Sequence, residues 1–393
     1  MKEIKRTLQA LLQKNIKSQG KSILLLGPRQ TGKSFLLKKM TPDLAINLSK
    51  ESEYQQFLKD PSLIEKTVAP LFKKKSVVFI DEIQRLPWMM NTIQAVIDEH
   101  KNIVFLISGS SARKLRKKEV NLLPGRIFSY QLHPLSFWEL RDEGLFDLKK
   151  CLSIGSLPEV YLYDYGPDLL VEYVDTYLRE EIIAEALVRH IAGFSRFIDL
   201  AAHCSGQELN YSQMASDSEI PKETLRRYVE ILSETLIIHR LPGYSKIQGT
   251  RKAIQKEKFI FFDLGVRNGI LRQHKNTFSA EALGGLFEQW VILQVLCLKS
   301  YRKTNWEVYY YRDDKKTEVD LLIETAEKIY AIEIKWGEKF RSDWLKNLLS
   351  FQEQRPHKPV IPIVVYRGPR ELQDQGISIQ PYQQFLDFLL QVE

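Results

Sequence analysis

Gly27-Pro28-Arg29-Gln30-Thr31-Gly32-Lys33-Ser34 lies between a short apolar run, Lys21–Leu26, and a helical pattern beginning near Lys33. The stretch fits G-x-x-x-x-G-K-[ST] at every fixed position, with a strand before it and a helix after it, as the pattern requires. Gly27 and Gly32 let the backbone turn tightly. The N–H groups of Gln30, Thr31, Gly32, Lys33, Ser34 and Phe35 are then expected to face phosphate oxygens. The helix N-terminus adds partial positive charge. Lys33 reaches the β- and γ-phosphates in such a loop, and the Ser34 hydroxyl coordinates magnesium.

Two further runs complete the site. Val77-Val78-Phe79-Ile80 reads as a buried strand with Asp81 and Glu82 at its carboxyl end, the edge where open α/β sheets bind ligands. Asp81 is expected to hold magnesium, and Glu82 to orient and deprotonate an attacking water. Ile103–Ile107 is a third strand-like run, followed by Ser108-Gly109-Ser110-Ser111. A hydroxyl of Ser108 or Ser110 can touch the γ-phosphate or the water; a simple polar turn accounts for the same residues. Arg126, in Pro124-Gly125-Arg126, reads as an arginine finger aimed at a neighbouring subunit's nucleotide, or as a surface arginine. ATP and Mg2+ are thus the expected ligands, with Lys33, Glu82, Ser108 and Arg126 as catalytic candidates.

The chain has 393 residues, too many for one core, so two or three domains are expected. Its 44% apolar and 27% charged residues are ordinary for a globular protein. There is no run of about 18 apolar residues, and the N-terminus has no apolar leader segment. Neither a membrane span nor secretion is expected. Ile4, Leu8, Leu11 and Leu12 instead mark an amphipathic helix. Cys151, Cys204 and Cys297 fit no metal spacing and suit a reduced cytoplasmic setting. The net charge of +8 is compatible with nucleic acid. Two basic clusters, Lys73–Lys75 and Arg113–Lys118, read either as part of such a surface or as solvated faces.

Strand and helix patterns alternate over residues 21–140, which implies a parallel sheet with crossover helices. Residues 141–250 are mainly helical. A basic link follows at Lys246–Lys258, and then mixed helix and strand. The expected parts are an α/β ATPase core over 1–140, a helical lid and winged-helix segment over 141–255, and an α/β domain over 256–393.

GPRQTGKS, VVFIDEIQRLP, FLISGSS and PGRIFSYQLHPLSFWEL (124–140) together resemble the AAA+ superfamily. The similarity is greatest to a prokaryotic group, related to archaeal-type ATPases, with a C-terminal domain of unassigned function. It spans about residues 15 to 385 and implies a winged helix and a nuclease-like end.

In the middle segment, Asn210–Ala215 and Ile220–Leu232 look like a helix-turn-helix. Leu225, Tyr228, Val229 and Leu232 form its apolar stripe. Lys222, Arg226 and Arg227 face elsewhere, where they suit DNA phosphates or a protein partner. Leu236–Leu241 reads as a wing strand. Near the C-terminus, Glu288 lies on a helix, Asp320 on a strand, and Glu333 and Lys335 on one face of the next strand. An Asp followed by Glu-x-Lys resembles the restriction-endonuclease-like fold. That resemblance implies a second magnesium site at Glu288, Asp320, Glu333 and Lys335, either cutting or retired.

The resulting expectation is a cytoplasmic, homo-oligomeric, ATP-hydrolysing protein that acts on DNA, without membrane contact. Its rivals are an ATP-dependent DNA nuclease and a nucleotide-dependent switch that recruits a protein partner.

Overall fold

The computed structural model describes residues 3–110, 125–178, 191–249 and 251–393. Ser111, the Arg113–Lys118 cluster and Pro124 lie outside the described residues. The chain divides into two compact units. One comprises Met1–Phe146, Leu157–Leu162 and Glu230–Ile237; the other comprises Asp147–Ser156, Tyr163–Val229 and Ile238–Glu393. The expected middle segment is thus shared between the units.

The first unit is built on β1 (Ser22–Leu26), β2 (Leu44–Asn47), β3 (Ser76–Asp81), β4 (Ile103–Gly109) and β5 (Ile127–Gln131). They form one sheet in the order β2-β3-β4-β1-β5, and every pairing is parallel. β1 and β4 are buried at every residue, which is why their sequences are continuous apolar runs. β2 and β5 are edge strands with one buried residue each, Ile46 and Tyr130. Their one-sided burial leaves little apolar signal. The helix Met89–Glu99 buries Met89, Met90, Ile93, Val96 and Ile97 against a core that includes Val78, Ile80, Phe105 and Ile107. The N-terminal helix is Thr7–Gln19, with Ile4, Leu8 and Leu12 buried as expected.

Register aligns the functional ends. Leu26 pairs with Gly109, Ile80 with Ile107, and Asn47 with Asp81. The residues following β1, β3 and β4 therefore meet at one sheet edge.

The second unit has a six-stranded sheet of β8 (Glu307–Arg312), β9 (Glu318–Glu324), β10 (Ile329–Lys335), β11 (Val360–Tyr366), β12 (Leu372–Asp374) and β13 (Ile377–Pro381). The order is β12-β13-β11-β10-β9-β8. β8, β9 and β10 run antiparallel; β10, β11 and β13 run parallel. The helix Ala280–Arg302 precedes β8, and the helix Lys346–Glu353 connects β10 to β11. By length and composition alone, Ala280–Arg302 is apolar enough to cross a membrane. The sequence contained no unbroken apolar run here because Glu281, Glu288 and Gln289 interrupt it. In this unit the helix is a core element, with Leu286, Phe287, Trp290, Val291, Ile292 and Val295 buried.

The expected helix-turn-helix forms as Tyr211–Ser218 and Lys222–Glu234. Leu225, Tyr228, Val229 and Leu232 are buried, while Lys222, Arg226 and Arg227 are exposed. β6 (Ile238–Leu241) pairs antiparallel with β7 (Lys258–Phe261). The expected wing strand is thus a strand, and the chain after it bonds to the rest of the unit. Tyr244 N donates to Tyr310 O at 2.8 Å, Ile254 N to Arg312 O at 2.8 Å, and Gly249 N to Gln354 O at 2.8 Å. Those backbone donors are spent on the six-stranded sheet and its neighbour.

Candidate functional site

The loop after β1 is shaped by two close constraints. A Cβ on Gly27 would stand 2.5 Å from the Leu132 carbonyl oxygen, so only glycine fits. Gln30 has φ 61° and Gly32 has φ 94°. Such left-handed residues curl successive N–H groups into an anion-binding concavity. Thr31 Oγ1 donates to the Pro28 carbonyl at 2.9 Å, bracing the turn. Lys33 is buried, and its Nζ donates to the Gly27 and Pro28 carbonyls at 2.8 Å each. The ammonium thus lies across its own loop, held by neutral acceptors that a phosphate would outcompete. Phe35 exposes its ring, with Lys39 Nζ 4.4 Å above it.

Asp81 ends β3 and is buried. Ser34 Oγ donates to its Oδ1 at 2.7 Å, and Ser108 Oγ donates to the same oxygen. Ser108 Oγ also accepts from Glu82 N at 3.1 Å. Of the two candidate serines, Ser108 therefore joins the acids. Ser110 instead donates its backbone N–H to Gln84 Oε1 at 3.3 Å. Glu82 has φ 61°, an unfavourable conformation for a non-glycine residue. Gln84 Nε2 donates to the Glu82 carboxylate, so Gln84 links the acid to the end of β4. Nothing in the sequence pattern singled out Gln84.

The oxygens of Ser34 and Asp81 are hard ligands of the kind magnesium takes. They face the same sheet edge as a loop shaped for an anion. This donor set and the Gly27 cradle fit a magnesium–nucleotide ligand.

Arg126 precedes β5, whose first residue pairs with Ser22 at the start of β1. The phosphate loop leaves the far end of β1, so Arg126 stands at the opposite edge of the sheet from its own chain's loop. Arg126 Nε donates to Asp98 at 2.6 Å, and Lys74 of the exposed Lys73–Lys75 turn pairs with Asp43 at 3.1 Å.

The second unit gathers Glu288, Asp320, Glu333 and Lys335, as the motif implied. Lys335 Nζ lies 2.6 Å from Glu333 Oε1 and 3.9 Å from Asp320 Oδ2. Asp320 Oδ2 accepts from Ile334 N at 2.7 Å. Lys258 on β7 was not anticipated. Its Nζ is 2.6 Å from Glu318 and 3.5 Å from Glu288. Burial and then Asp320 push the Glu333 carboxyl up to about 8, against the pull of Lys335. Burial, again with Asp320, raises Glu288 to about 7. Burial opposes the charges on Lys258 and Lys335, yet their acid partners hold both pKa values above the ordinary lysine range. Among the described residues, no group of three or more His, Cys, Asp or Glu side chains is arranged to hold a metal. The four expected residues thus meet in an acid–lysine cluster, in which the Lys335 and Lys258 ammonium groups pair with Glu333 and Glu318.

Residues 19–141 match a family model described as an AAA domain. Residues 145–277 and 283–385 match two families described as domains of unknown function. An uncharacterized protein of Mycobacterium tuberculosis is 26% identical over 322 residues, covering 80% of this chain and 70% of that protein. One of Haemophilus influenzae is 23% identical over 359 residues, covering 84% and 86%. Among solved structures, Caenorhabditis elegans PCH-2 aligns with TM-score 0.27 and 16% identity, over 58% of this chain and 66% of that one. Replication initiator DnaA bound to AMPPCP and single-stranded DNA aligns with TM-score 0.29 and 14% identity, over 58% and 86%. The chain is of mixed α/β class. Its five-stranded parallel sheet matches a P-loop ATPase core, within the residues that match the AAA model, and a further mixed sheet occupies the C-terminal region.

Proposed function

We propose that this protein binds and hydrolyses ATP with Mg2+ and couples that turnover to work on DNA. The observation that carries the ATP reading is the convergence of Ser34 Oγ and Ser108 Oγ on one oxygen of Asp81, beside Glu82 and the Lys33 loop. Magnesium, when bound with the nucleotide, neutralises charge on the β- and γ-phosphate oxygens. Ser34 and Asp81 are the residues that would hold it. Lys33 exchanges two carbonyl acceptors for phosphate oxygens, a gain in charge-assisted hydrogen bonding. Glu82 accepts a proton from water, and the Ser108 hydroxyl fixes its backbone. Arg126 serves a neighbouring subunit's nucleotide in a homo-oligomer, since it stands at the far edge from its own.

The first two family-model matches, 19–141 and 145–277, meet near the first expected boundary, and the second extends past the expected boundary at 255 before the third at 283–385. The DNA role rests on the net charge of +8 and on exposed Lys222, Arg226 and Arg227 on the second helix of the pair. The setting that suits this role is the cytoplasm. Phosphate-directed binding weakens steeply with salt. ATP turnover should therefore rise with duplex or branched DNA at low salt, and Arg226→Ala/Arg227→Ala should flatten that response. Turnover indifferent to DNA at every salt concentration would favour a switch acting on a protein partner.

A nuclease reading has one observation of its own: Glu333 Oε2 is buried without a hydrogen-bond partner, beside the Lys335 ammonium. DNA cleavage abolished by Glu333→Ala, with ATP hydrolysis intact, would support it. The absence of any cleavage by the wild-type chain would refute it.

A further inference from the structure

Arg6 lies upstream of the residues that match the AAA family model. It is nonetheless buried against the phosphate loop. Its Nη1 donates to the Thr31 carbonyl at 2.8 Å, and its Nη2 to the His133 carbonyl at 2.6 Å. Its Nε donates to Glu139 Oε1 at 3.1 Å. Glu139 is equally occupied, accepting from Thr7 N at 2.8 Å and from Ser136 N at 2.9 Å. One guanidinium thus ties together the start of the N-terminal helix, the phosphate loop and the turn after β5. The planar, fixed fork of arginine suits this role, and lysine cannot reproduce it.

The bond to Thr31 has a directional consequence. In a planar trans peptide, the carbonyl and the following N–H point in opposite directions. With the Thr31 carbonyl drawn to Arg6, the Gly32 N–H faces away from Arg6. We propose that Arg6 is a positioning residue that holds the Gly32 N–H toward a bound phosphate and so sets the loop's affinity for nucleotide. This inference rests on the reading of the loop as an ATP site.

Arg6→Lys keeps the charge but loses the fork. It is expected to weaken binding of a non-hydrolysable ATP analogue with Mg2+ by about tenfold or more, the scale of one charge-assisted hydrogen bond. The control is Glu139→Gln, which removes the ion pair but leaves Nη1 free to hold Thr31. It is expected to retain affinity within about threefold, with a melting temperature lowered at least as far as in Arg6→Lys. Equal loss of affinity in both variants would reduce Arg6 to a structural role. Wild-type affinity in a folded Arg6→Lys would overturn the proposal outright.

Linkage supplies a second measurement that needs no variant. If Arg6 couples the loop to the N-terminus, adding the analogue with Mg2+ should slow hydrogen exchange in a peptide spanning residues 3–12 of the wild-type chain. Unchanged exchange at saturating analogue would contradict the proposal even if Arg6→Lys failed to fold. A wild-type chain that bound no nucleotide at all would instead defeat the ATP reading itself.

Discussion

The Ser34 hydroxyl donates to Asp81 Oδ1 across 2.7 Å, joining the helix after the phosphate loop to the end of β3, 47 positions away and one strand removed from β1 in the sheet. The parallel register of β1, β3 and β4 makes the contact, because it brings their carboxyl ends level. Both groups are oxygen ligands of one geometry. Ser34→Ala and Asp81→Asn should each lower magnesium-dependent ATP turnover by about tenfold or more. Titrating Mg2+ at fixed ATP checks this. A half-saturating Mg2+ concentration unchanged in both variants would remove them from the metal site.

Glu82 separates binding from chemistry. Glu82→Gln keeps the side-chain volume and the backbone contact to Ser108, but cannot accept a proton. Its turnover number should fall by about 10²–10⁴-fold, the range for loss of a general base, while ATP affinity stays near wild type. Single-turnover phosphate release alongside nucleotide binding measures both. Parallel loss of affinity would mean that Glu82 shapes the loop instead.

Gly27 is a steric requirement. The Cβ of Gly27→Ala would meet a backbone oxygen, Leu132 O, at 2.5 Å, and backbone yields less readily than a side-chain tip. The substitution should cost about 1–3 kcal/mol of stability and abolish nucleotide binding. Thermal unfolding with and without the nucleotide analogue reads both effects. Normal ligand-induced stabilisation would contradict the steric account.

Much of this site was legible in the sequence, for physical reasons. Gly27, Lys33, Ser34 and Asp81 stand in a short local pattern next to buried central strands, and full burial writes itself as unbroken apolar runs. The edge strands β2 and β5 carry no such run because each buries one residue. Arg6, Gln84 and Lys258 were invisible for a different reason. Each acts through contacts set by tertiary packing, and a lone arginine, glutamine or lysine has no pattern around it. The contacts of the basic link expected at Lys246–Lys258 were hidden on the same account: Ile254 bonds to β8 and Gly249 to Gln354, and nothing in the sequence around them announces it. The Glu-x-Lys motif located its residues correctly, but Lys258 comes from a distant strand and changes what they surround.

The acid–lysine cluster gives a pH signature. Burial, and then the Asp320 charge, push the Glu333 carboxyl up to about 8 from the ordinary glutamate value of 4.5. Between those two values the folded state binds more protons than the unfolded state. Stability should therefore fall as pH rises from about 4.5 through 8. Glu333→Gln, which mimics the protonated form, should flatten that fall. Denaturant midpoints for both proteins across this range test it. Identical slopes would show that the Glu333 carboxyl is not held protonated.

The most direct test of the central claim is phosphate release from ATP by the wild-type chain and by Lys33→Ala, with Mg2+ and then with a chelator. The account predicts steady turnover in the wild type, lost in the variant and lost without the metal. Hydrolysis that survives Lys33→Ala at the wild-type rate, or a pure wild-type chain with no magnesium-dependent turnover with or without DNA, would contradict it.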